Sequence, residues 1–93
     1  MLKIVQTSKF KKDYKRLVKQ GKDMSLLKSV ITALQKQEAL DSKYRDHGLN
    51  GNLNGFRECH LEGDWVLVYR VNKKELLLTL VRTGDHRTAL GVE

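Results

Sequence analysis

Residues 56–82, FRECHLEGDWVLVYRVNKKELLLTLVR, decide the fold of this 93-residue chain, because three strand-like segments follow one another there. Residues 56–61, 65–72 and 75–82 are rich in β-branched, aromatic and other apolar residues, and short polar connections separate them. Connections of this length join antiparallel strands. The last segment is apolar at both alternating parities, which indicates a central strand covered on both faces. The stretch therefore predicts an antiparallel meander.

Two helices are predicted upstream of the meander. Residues 2–4 read as a short opening strand, and Thr7 or Ser8 can cap the first helix that follows it. Asp23 or Ser25 can cap a second helix that runs to about residue 37. The apolar stripe of the first helix is Phe10, Tyr14, Leu17 and Val18, and that of the second is Leu27, Val30, Ile31 and Leu34.

The remaining segments complete an α+β architecture. Residues 41–55 are rich in Asp, Ser, Asn and Gly and read as a loop, and residues 83–90 read as a loop with one helical turn. We expect the N-terminal strand and the two-helix hairpin to pack on one face of a small, mainly antiparallel sheet. No linker or repeat interrupts the sequence, so residues 1–93 are expected to form a single domain.

The net charge of +7 is concentrated at the N-terminus. Residues 1–22 contain eight Lys or Arg and one acid, Asp13, whereas residues 23–93 contain ten of each. A solvated helix face is the ordinary reason for such a stripe. The alternative is a surface that attracts a polyanion or an acidic protein.

Several function classes are made improbable by what the sequence lacks. No apolar run approaches the roughly 20 residues of a membrane span, and no signal-like stretch opens the chain, so we expect a cytoplasmic protein. The single cysteine, Cys59, has no partner for an internal disulfide, and we expect it to pack within a strand. G-x-S-x-G, phosphate-loop and G-x-G-x-x-G motifs are absent, which argues against the common hydrolases and nucleotide-binding folds.

Five residues near the strand ends suggest RNA cleavage without a metal. In the predicted meander, His47, His60, Asp64, Arg82 and His86 can share one edge of the sheet. Such cleavage needs a base for the 2′-hydroxyl proton, an acid for the departing 5′-oxygen, and a cation beside the phosphoryl oxygens. Histidine suits the first two tasks because its ordinary pKa is near 6.5, and the planar fork of arginine matches phosphate.

Simpler roles are open to the same residues. His47 can be a solvated turn residue, His60 can fill space on the sheet, and Arg82 can pair with a surface carboxylate. A catalytic zinc site of His47, His60 and His86 is the sharper competitor, since three histidines build such sites. No H-E-x-x-H or His-x-x-His pair supports it, and we therefore expect no metal.

At these residues the sequence resembles the RelE-like toxins of bacterial toxin–antitoxin pairs, and among them the YafQ branch. The likeness covers nearly the whole chain. It is carried by the lysine-rich first helix, by Tyr44-Arg45-Asp46-His47 with Leu49 and Gly51, by Gly55-Phe56-Arg57 with His60, by Asp64-Trp65 with Tyr69, and by Arg82-Thr83-Gly84 with His86.

The resemblance implies the RelE-like toxin fold and a function. Members of this kind cut messenger RNA in the ribosomal A site, and they do so without a cofactor. An acidic antitoxin, here of the DinJ type, neutralises them, and the toxin–antitoxin complex binds the DNA of its own operator. The resemblance thus implies that the basic first helix binds RNA, and the affinity for RNA is expected to fall as the salt concentration rises. The helix residues implied in RNA binding are Lys9, Lys11, Lys12, Lys15, Arg16 and Lys19.

The resemblance also implies roles for single residues. His86 is the first choice for the acid that protonates the 5′-oxygen, and Arg82 is expected to grip the scissile phosphate. The base is left open among His60, His47 and Asp64. Trp65 either stacks on a base or belongs to the core, and the usual placement of aromatic residues favours the core.

Two departures from the YafQ pattern concern the site. Leu90 stands where such chains usually have a C-terminal phenylalanine, and residues 91–93 extend the tail. Gly48 stands where proline is frequent, so His47 is expected to be held less rigidly. We expect weaker or differently selective cutting as a result.

Two rival functions belong to other classes. The first is a non-catalytic nucleic-acid-binding module that acts only within a repressor complex, and in that case the histidines are incidental. The second is a gyrase poison of the ParE-like branch. That branch does not call for a histidine cluster, so the three histidines speak against it.

Overall fold

Five strands and three helices account for most of residues 1–90, the part of the chain that the structure, a computed structural model, describes. In chain order they are β1 (Lys3–Gln6), α1 (Ser8–Lys19), α2 (Met24–Gln35), β2 (His47–Gly48), β3 (Arg57–Glu62), β4 (Trp65–Asn72), β5 (Leu77–Asp85) and α3 (His86–Ala89). Two short 3-10 helices, Ser42–Tyr44 and Gly51–Leu53, lie in the loop before β3. The α+β architecture predicted from the sequence is confirmed. Tail residues 91–93 lie outside the described part.

The sheet is mixed, with strand order β1-β5-β4-β3-β2. Strands β2 to β5 pair antiparallel, and β1 pairs parallel with β5, with Ile4 opposite Leu78. Strand β5 therefore has a neighbour on each side, as expected for a central strand. After β1 at one edge of the sheet, the chain passes through the helix hairpin to β2 at the other edge, and the hairpin covers one face of the sheet.

Both faces of the sheet carry apolar clusters of unequal size. On one face the helices α1 and α2 bury Phe10, Leu17 and Leu27 against a large core that includes Leu67. Because side chains alternate along a strand, Val66 and Val68 point to the opposite face. There they form a smaller cluster with Ala89 of α3, and partly buried residues pack around it, namely Leu49, Phe56, Val81 and Leu90. The second face is thus covered near α3.

The helix caps follow the sequence signals. The hydroxyl of Thr7 accepts a hydrogen bond from the Phe10 amide at 3.0 Å, and the carboxylate of Asp23 accepts one from the Ser25 amide at 3.0 Å. The second helix ends at Gln35, two residues before the predicted end, and Gln37 has a left-handed φ of 60°. That conformation does not continue an α-helix.

The apolar stripe predicted for α1 was wrong at one position. Val18 is 51% exposed, whereas Asp13 is fully buried between the turns that carry Phe10 and Leu17. Asp13 takes this place because side chains and backbone from β5 saturate its carboxylate with hydrogen bonds. A charge that is bonded in this way can be buried.

Strand β5 is shifted along the chain relative to the prediction of residues 75–82. The turn before it is tightened by Asn72, whose side-chain oxygen accepts a hydrogen bond from the Glu75 amide at 3.0 Å, and Leu76 has a φ of 58°. The strand consequently begins at Leu77 and continues to Asp85. The shift brings the strand directly to His86.

Two smaller expectations can also be compared with the structure. Among the described residues, no helix has both the length and the apolar character that crossing a bilayer requires. Cys59 is fully buried in the core, and this burial raises the pKa of its thiol to about 12. A thiol in that state is a packing group, as expected, because the nucleophilic form is the thiolate.

Candidate active site

A buried carboxylate, Glu58, lies at the centre of the three histidines. Its Oε1 atom is 3.1 Å from Nε2 of His47 and 3.2 Å from Nε2 of His60, and its Oε2 atom is 3.3 Å from Nε2 of His86. The Glu58 side chain is 2% exposed. We call these four residues the Glu58 cluster. Sequence analysis missed Glu58, although its position two residues before His60 puts both side chains on one face of a strand.

Backbone pairing brings the cluster together from three segments. The short strand β2 places His47 directly opposite Glu58 of β3. His60 is in register with Val66 of β4, which in turn is opposite Gly84 of β5. Two residues later His86 begins α3, whose first turn is capped by the carboxylate of Asp85. Strand register therefore determines which residues meet, since the cluster members are distant in sequence.

The approach to β2 is fixed by a second carboxylate, Asp46. It accepts hydrogen bonds from the hydroxyl of Tyr69 and from the guanidinium of Arg57, the latter at 3.3 and 3.4 Å. These bonds anchor the residue immediately before His47 to the neighbouring strands. They therefore constrain the backbone on the N-terminal side of His47, whereas Gly48 follows it on the other side.

The three rings differ in exposure and in their environment. The side chains of His47 and His86 are 49% and 48% exposed, whereas that of His60 is 17% exposed. Burial lowers the pKa of His60 below its ordinary value, and the nearby positive charge of Arg45 lowers it further. The ring of His60 lies between the other two, with centroids 5.8 Å from His47 and 6.1 Å from His86. One shielded imidazole therefore lies between two accessible ones.

The hydrogen-bond geometry separates the roles of the ring nitrogens. Each Nε2 faces Glu58, so a neutral His60 that donates from Nε2 keeps the lone pair of Nδ1 for accepting a proton. In His47 both nitrogens face acceptors, because Nδ1 is 3.1 Å from the carbonyl oxygen of Gly48. Both of those bonds form together only when both nitrogens carry a proton. The Glu58 Oε2 atom is buried and, although it lies 3.3 Å from His86 Nε2, it accepts no hydrogen bond from the described residues.

The cluster also has the geometry of a metal site. Ligand atoms of His47, Glu58 and His60 all lie within 4.8 Å of one another. Two imidazole nitrogens and one carboxylate oxygen suit Zn²⁺ or Cu²⁺. The zinc site considered from the sequence used His86 as the third ligand, whereas the structure groups Glu58 with the first two histidines.

Arg82 lies near the cluster but is bonded to α1. Its Nε and Nη2 atoms donate to the carboxylate of Asp13 at 2.7 and 3.2 Å, and the amide of Thr83 and the guanidinium of Arg16 donate to the same group. Burial acts to raise the pKa of Asp13, but these hydrogen bonds and the charge of Arg82 lower it overall. Arg82 is opposite Val68, which is opposite Glu58, so it lies two strands from the buried carboxylate.

The structure does not bring Asp64 into the Glu58 cluster. Asp64 lies in the turn between β3 and β4 and lines a cleft with Arg16 and Lys22 at the end of α1. Trp65, the next residue, is buried, and its indole N–H donates to the hydroxyl of Thr83 at 2.9 Å. Trp65 is therefore a core residue, which was the favoured interpretation.

The basic residues of α1 remain at the surface. Lys9, Lys11, Lys12, Lys15 and Lys19 are exposed, and Arg16 is partly exposed beside Asp13. We call these six residues the basic face. It continues toward the cluster through the Asp13–Arg82 pair, which connects α1 to β5.

Comparisons with known proteins find relatives that match nearly the whole chain. Residues 2–90 match a family described as the bacterial toxin of type II toxin–antitoxin system, YafQ. A relative from Escherichia coli K12, named mRNA interferase toxin YafQ, is 38% identical over 89 residues, which are 95% of each chain.

Two solved structures share the fold closely. A metal-bound toxin from Helicobacter pylori is 49% identical, with a TM-score of 0.89 over 95% of this chain and 98% of that one. The E. coli DinJ–YafQ complex contains a chain that is 36% identical, with a TM-score of 0.86 over 98% of this chain and all of that one.

Proposed function

This chain belongs to the YafQ family of bacterial toxins of type II toxin–antitoxin systems, and we propose that it cuts messenger RNA by acid–base catalysis at the Glu58 cluster. The family and the name of the E. coli relative make it a toxin and an endoribonuclease. The observation that carries the mechanism is the convergence of three histidine Nε2 atoms on one buried carboxylate. A residue set of this kind supplies both proton transfers of RNA cleavage.

His60 is the base in this scheme. Its lowered pKa keeps the imidazole neutral near pH 7, and its Nδ1 atom accepts the proton of the 2′-hydroxyl. The 2′-oxygen then forms a bond to phosphorus. As His60 becomes charged, its Nε2–H group makes a charge-assisted hydrogen bond to Glu58, which stabilises the imidazolium. Burial of Glu58 strengthens that interaction because the local dielectric is low.

His86 is the acid. It is accessible at the start of α3, and its Nε2 atom lies 3.3 Å from Oε2 of the buried Glu58 carboxylate. Transfer of its proton to the 5′-oxygen allows the bond between phosphorus and that oxygen to break. The products are a 2′,3′-cyclic phosphate and a 5′-hydroxyl, with His60 protonated and His86 neutral. A proton exchange with water restores the enzyme.

Positive charge beside the phosphoryl oxygens comes from His47 and Arg82. In its protonated form His47 donates to both of its acceptors and presents a cation at the accessible side of the cluster. Arg82 adds a second charge from the end of β5, held there by Asp13. We assign no proton transfer to Asp64, since it lines a different cleft.

The basic face supports two further parts of the proposal. Ribosome-bound messenger RNA is the substrate, and the lysines of α1 bind the surrounding polyanion, with affinity that falls at high salt. An acidic antitoxin of the DinJ type neutralises the toxin, and the complex of the two binds operator DNA. Structures of DinJ with the E. coli relative support the choice of antitoxin.

The experiment that tests the catalytic proposal maps messenger cleavage by primer extension on translating ribosomes and on free RNA. Wild type is compared with His86→Ala after a chelator has removed bound metal, and Arg87→Ala, which alters the next residue of α3, is the matched control. We expect cleavage by wild type and by the control, and a loss of about 10² to 10⁴ in rate for His86→Ala. Equal, measurable rates for all three proteins contradict the role of His86, whereas absence of cleavage by all three favours a binding module.

A metal-dependent reaction is the second candidate, and one observation favours it. His47, Glu58 and His60 can hold a divalent ion, and a similar Helicobacter toxin is metal-bound. When bound there, such an ion supplies Lewis-acid chemistry to a phosphoryl oxygen or a water molecule. Chelated protein that cuts only after Zn²⁺ or Cu²⁺ is returned would establish this alternative. If acid–base catalysis operates, added Zn²⁺ instead inhibits, because it occupies the Glu58 carboxylate and two of the rings.

A further inference from the structure

An apolar pocket of about 220 Å³ opens on the same face of the sheet as the Glu58 cluster. Its wall is formed by the side chains of Leu53, Phe56, Val68, Val81, Ala89 and Leu90. Lys9 and Arg82 also line it, and because Asp13 offsets the charge of Arg82, Lys9 supplies the net positive charge beside this mostly apolar cavity. An apolar cavity bordered by cations fits a ligand that has both an apolar face and a nearby anion.

Strand register connects this pocket to the cluster. Glu58 is directly opposite Val68, and Val68 is directly opposite Arg82. Neighbouring strands lie about 4.8 Å apart, so the Val68 side of the pocket is one strand from the buried carboxylate. The helix α3 makes a second connection, since His86 begins it and Ala89 and Leu90 at its end line the pocket.

We propose that this pocket binds the base of a nucleotide that flanks the scissile phosphate, an inference that rests on the proposed cleavage of RNA at the Glu58 cluster. The ring of Phe56 is the stacking surface, and the guanidinium of Arg70 lies 5.8 Å from its centroid. Bases of single-stranded RNA commonly bind by stacking on aromatic side chains. Lys9, an exposed residue at the rim of the pocket, then faces the phosphate next to that base.

The pocket accepts different bases because its fixed polar groups are engaged elsewhere. The hydroxyl of Thr7 donates to the carbonyl oxygen of Val81 at 2.7 Å and accepts from the Phe10 amide. Arg82 directs its Nε and Nη2 atoms to Asp13. A protein distinguishes one base from another by hydrogen-bond donors and acceptors that match the edge of that base. Stacking on an aromatic ring, in contrast, is possible for every base. All four bases should therefore bind with similar affinity.

A titration of the full chain tests the pocket without requiring catalysis. Protein with isotope-labelled methyl groups is titrated with each of the four nucleoside 5′-monophosphates and, separately, with ribose 5-phosphate. We expect the methyl signals of Val68, Val81, Ala89 and Leu90 to shift with every nucleotide and much less with the sugar phosphate. The methyl signals of Val5, on the far edge strand, serve as the control. Equal shifts with the sugar phosphate, or no shifts at these methyls, overturn the inference.

Two variants make the test independent of one side chain. Phe56→Leu keeps an apolar wall but removes the stacking ring, and it should weaken nucleotide binding about fivefold or more. Val81→Phe fills the cavity and should abolish the methyl shifts, whereas Val5→Phe, the matched control at an exposed position, should leave them unchanged. Thermal unfolding of each variant confirms that it is folded at the temperature of the titration.

The cleavage assay separates failure of this inference from failure of the proposed function. A messenger with an abasic nucleotide beside the cleavage site should be cut more slowly by wild type, and Val81→Phe should lose most of that discrimination. If wild type cuts RNA but discriminates as strongly after Val81→Phe, the pocket assignment is wrong and the catalytic proposal stands. If wild type cuts no RNA, the catalytic proposal falls, and the titration alone decides whether the pocket binds a base.

Discussion

The carboxylate of Asp13 binds the guanidinium of Arg82 through two hydrogen bonds of 2.7 and 3.2 Å, and this pair joins the basic helix to the strand that leads to His86. Asp13 is 2% exposed. Removing one partner of a buried pair leaves an uncompensated charge and costs about 3 to 5 kcal/mol. Asp13→Ala should therefore lower the free energy of unfolding by about that amount in urea denaturation. Asp64→Ala, at an exposed acid, is the control, and an equally small effect of both changes would contradict the role of the pair.

The same pair gives the stability of the protein a specific pH dependence. The pKa of Asp13 is lower in the folded state than its ordinary value near 3.9, so the folded state binds fewer protons there. The resulting stabilisation is fully present above about pH 4 and is lost as the pH falls through the folded pKa. Urea denaturation between pH 3 and pH 6 should show a smaller loss of stability on acidification for Asp13→Asn than for wild type. Parallel curves for the two proteins would exclude Asp13 as the source.

The pH profile of RNA cleavage should report the environment of His60. Burial and the charge of Arg45 lower the pKa of that imidazole, so the acidic limb of kcat/KM should fall below pH 6.5. Arg45→Gln removes one of these causes and should move the limb to higher pH. Arg70→Gln, which removes a charge near Phe56, should leave it in place. An unmoved limb in Arg45→Gln would show that another group is the base.

Glu58 should matter for rate more than Glu62, the exposed carboxylate at the end of the same strand. In Glu58→Gln the amide retains the shape of the side chain but no longer stabilises two imidazolium ions, so cleavage should slow by at least about 10²-fold. Glu62→Gln removes an exposed carboxylate from the same strand and should cut at the wild-type rate. Circular dichroism of both variants controls for folding. A Glu58→Gln protein that cuts normally would be incompatible with the proposed proton transfers.

Leu90 offers a test of substrate selectivity. This side chain lines the apolar pocket, at the position where the resemblance to YafQ-like toxins implies phenylalanine. Leu90→Phe adds an aromatic surface at the end of α3 and should change the distribution of cleavage sites in primer extension, with a change in KM larger than the change in kcat. An identical pattern of sites and an identical KM would mean that position 90 does not contact RNA.

Local signals in the sequence were sufficient for most of the fold. The caps at Thr7 and Asp23 and the short turns of the meander depend on neighbours within a few residues, and these features were predicted correctly. The parallel pairing of β1 with β5 was not predicted, because a pairing between distant segments depends on the packing of the whole sheet. The shifted start of β5 similarly follows from the conformation of the turn before it.

Sequence analysis found the histidines of the site but not the acids that organise it. Glu58 and Asp13 each look like ordinary surface carboxylates, since one lies beside Arg57 and the other among lysines. Only tertiary contacts reveal that both are buried and bonded. Asp64 was expected at the site because it is close to His60 in sequence. The strand pairing is irregular between His60 and Glu62, and a turn follows. As a result, Asp64 lies in the cleft beside α1.

The parallel strand β1 ends its pairing at Leu80, although β5 continues to Asp85. Along that overhang the Thr83 amide is held by the Asp13 side chain in place of a neighbouring strand. The segment that carries His86 is therefore held on this side by two side chains, the Thr7 hydroxyl at Val81 and the Asp13 carboxylate at Thr83, and it can open as a local unit without separating β1 from β5. Amide hydrogen exchange at Thr83 should thus be faster than at Leu78, which is paired on both sides. Binding of messenger RNA or antitoxin in the cleft beside this end of β5 should slow amide exchange at Thr83, because it favours the state in which the hydrogen bond from Thr83 to Asp13 is intact.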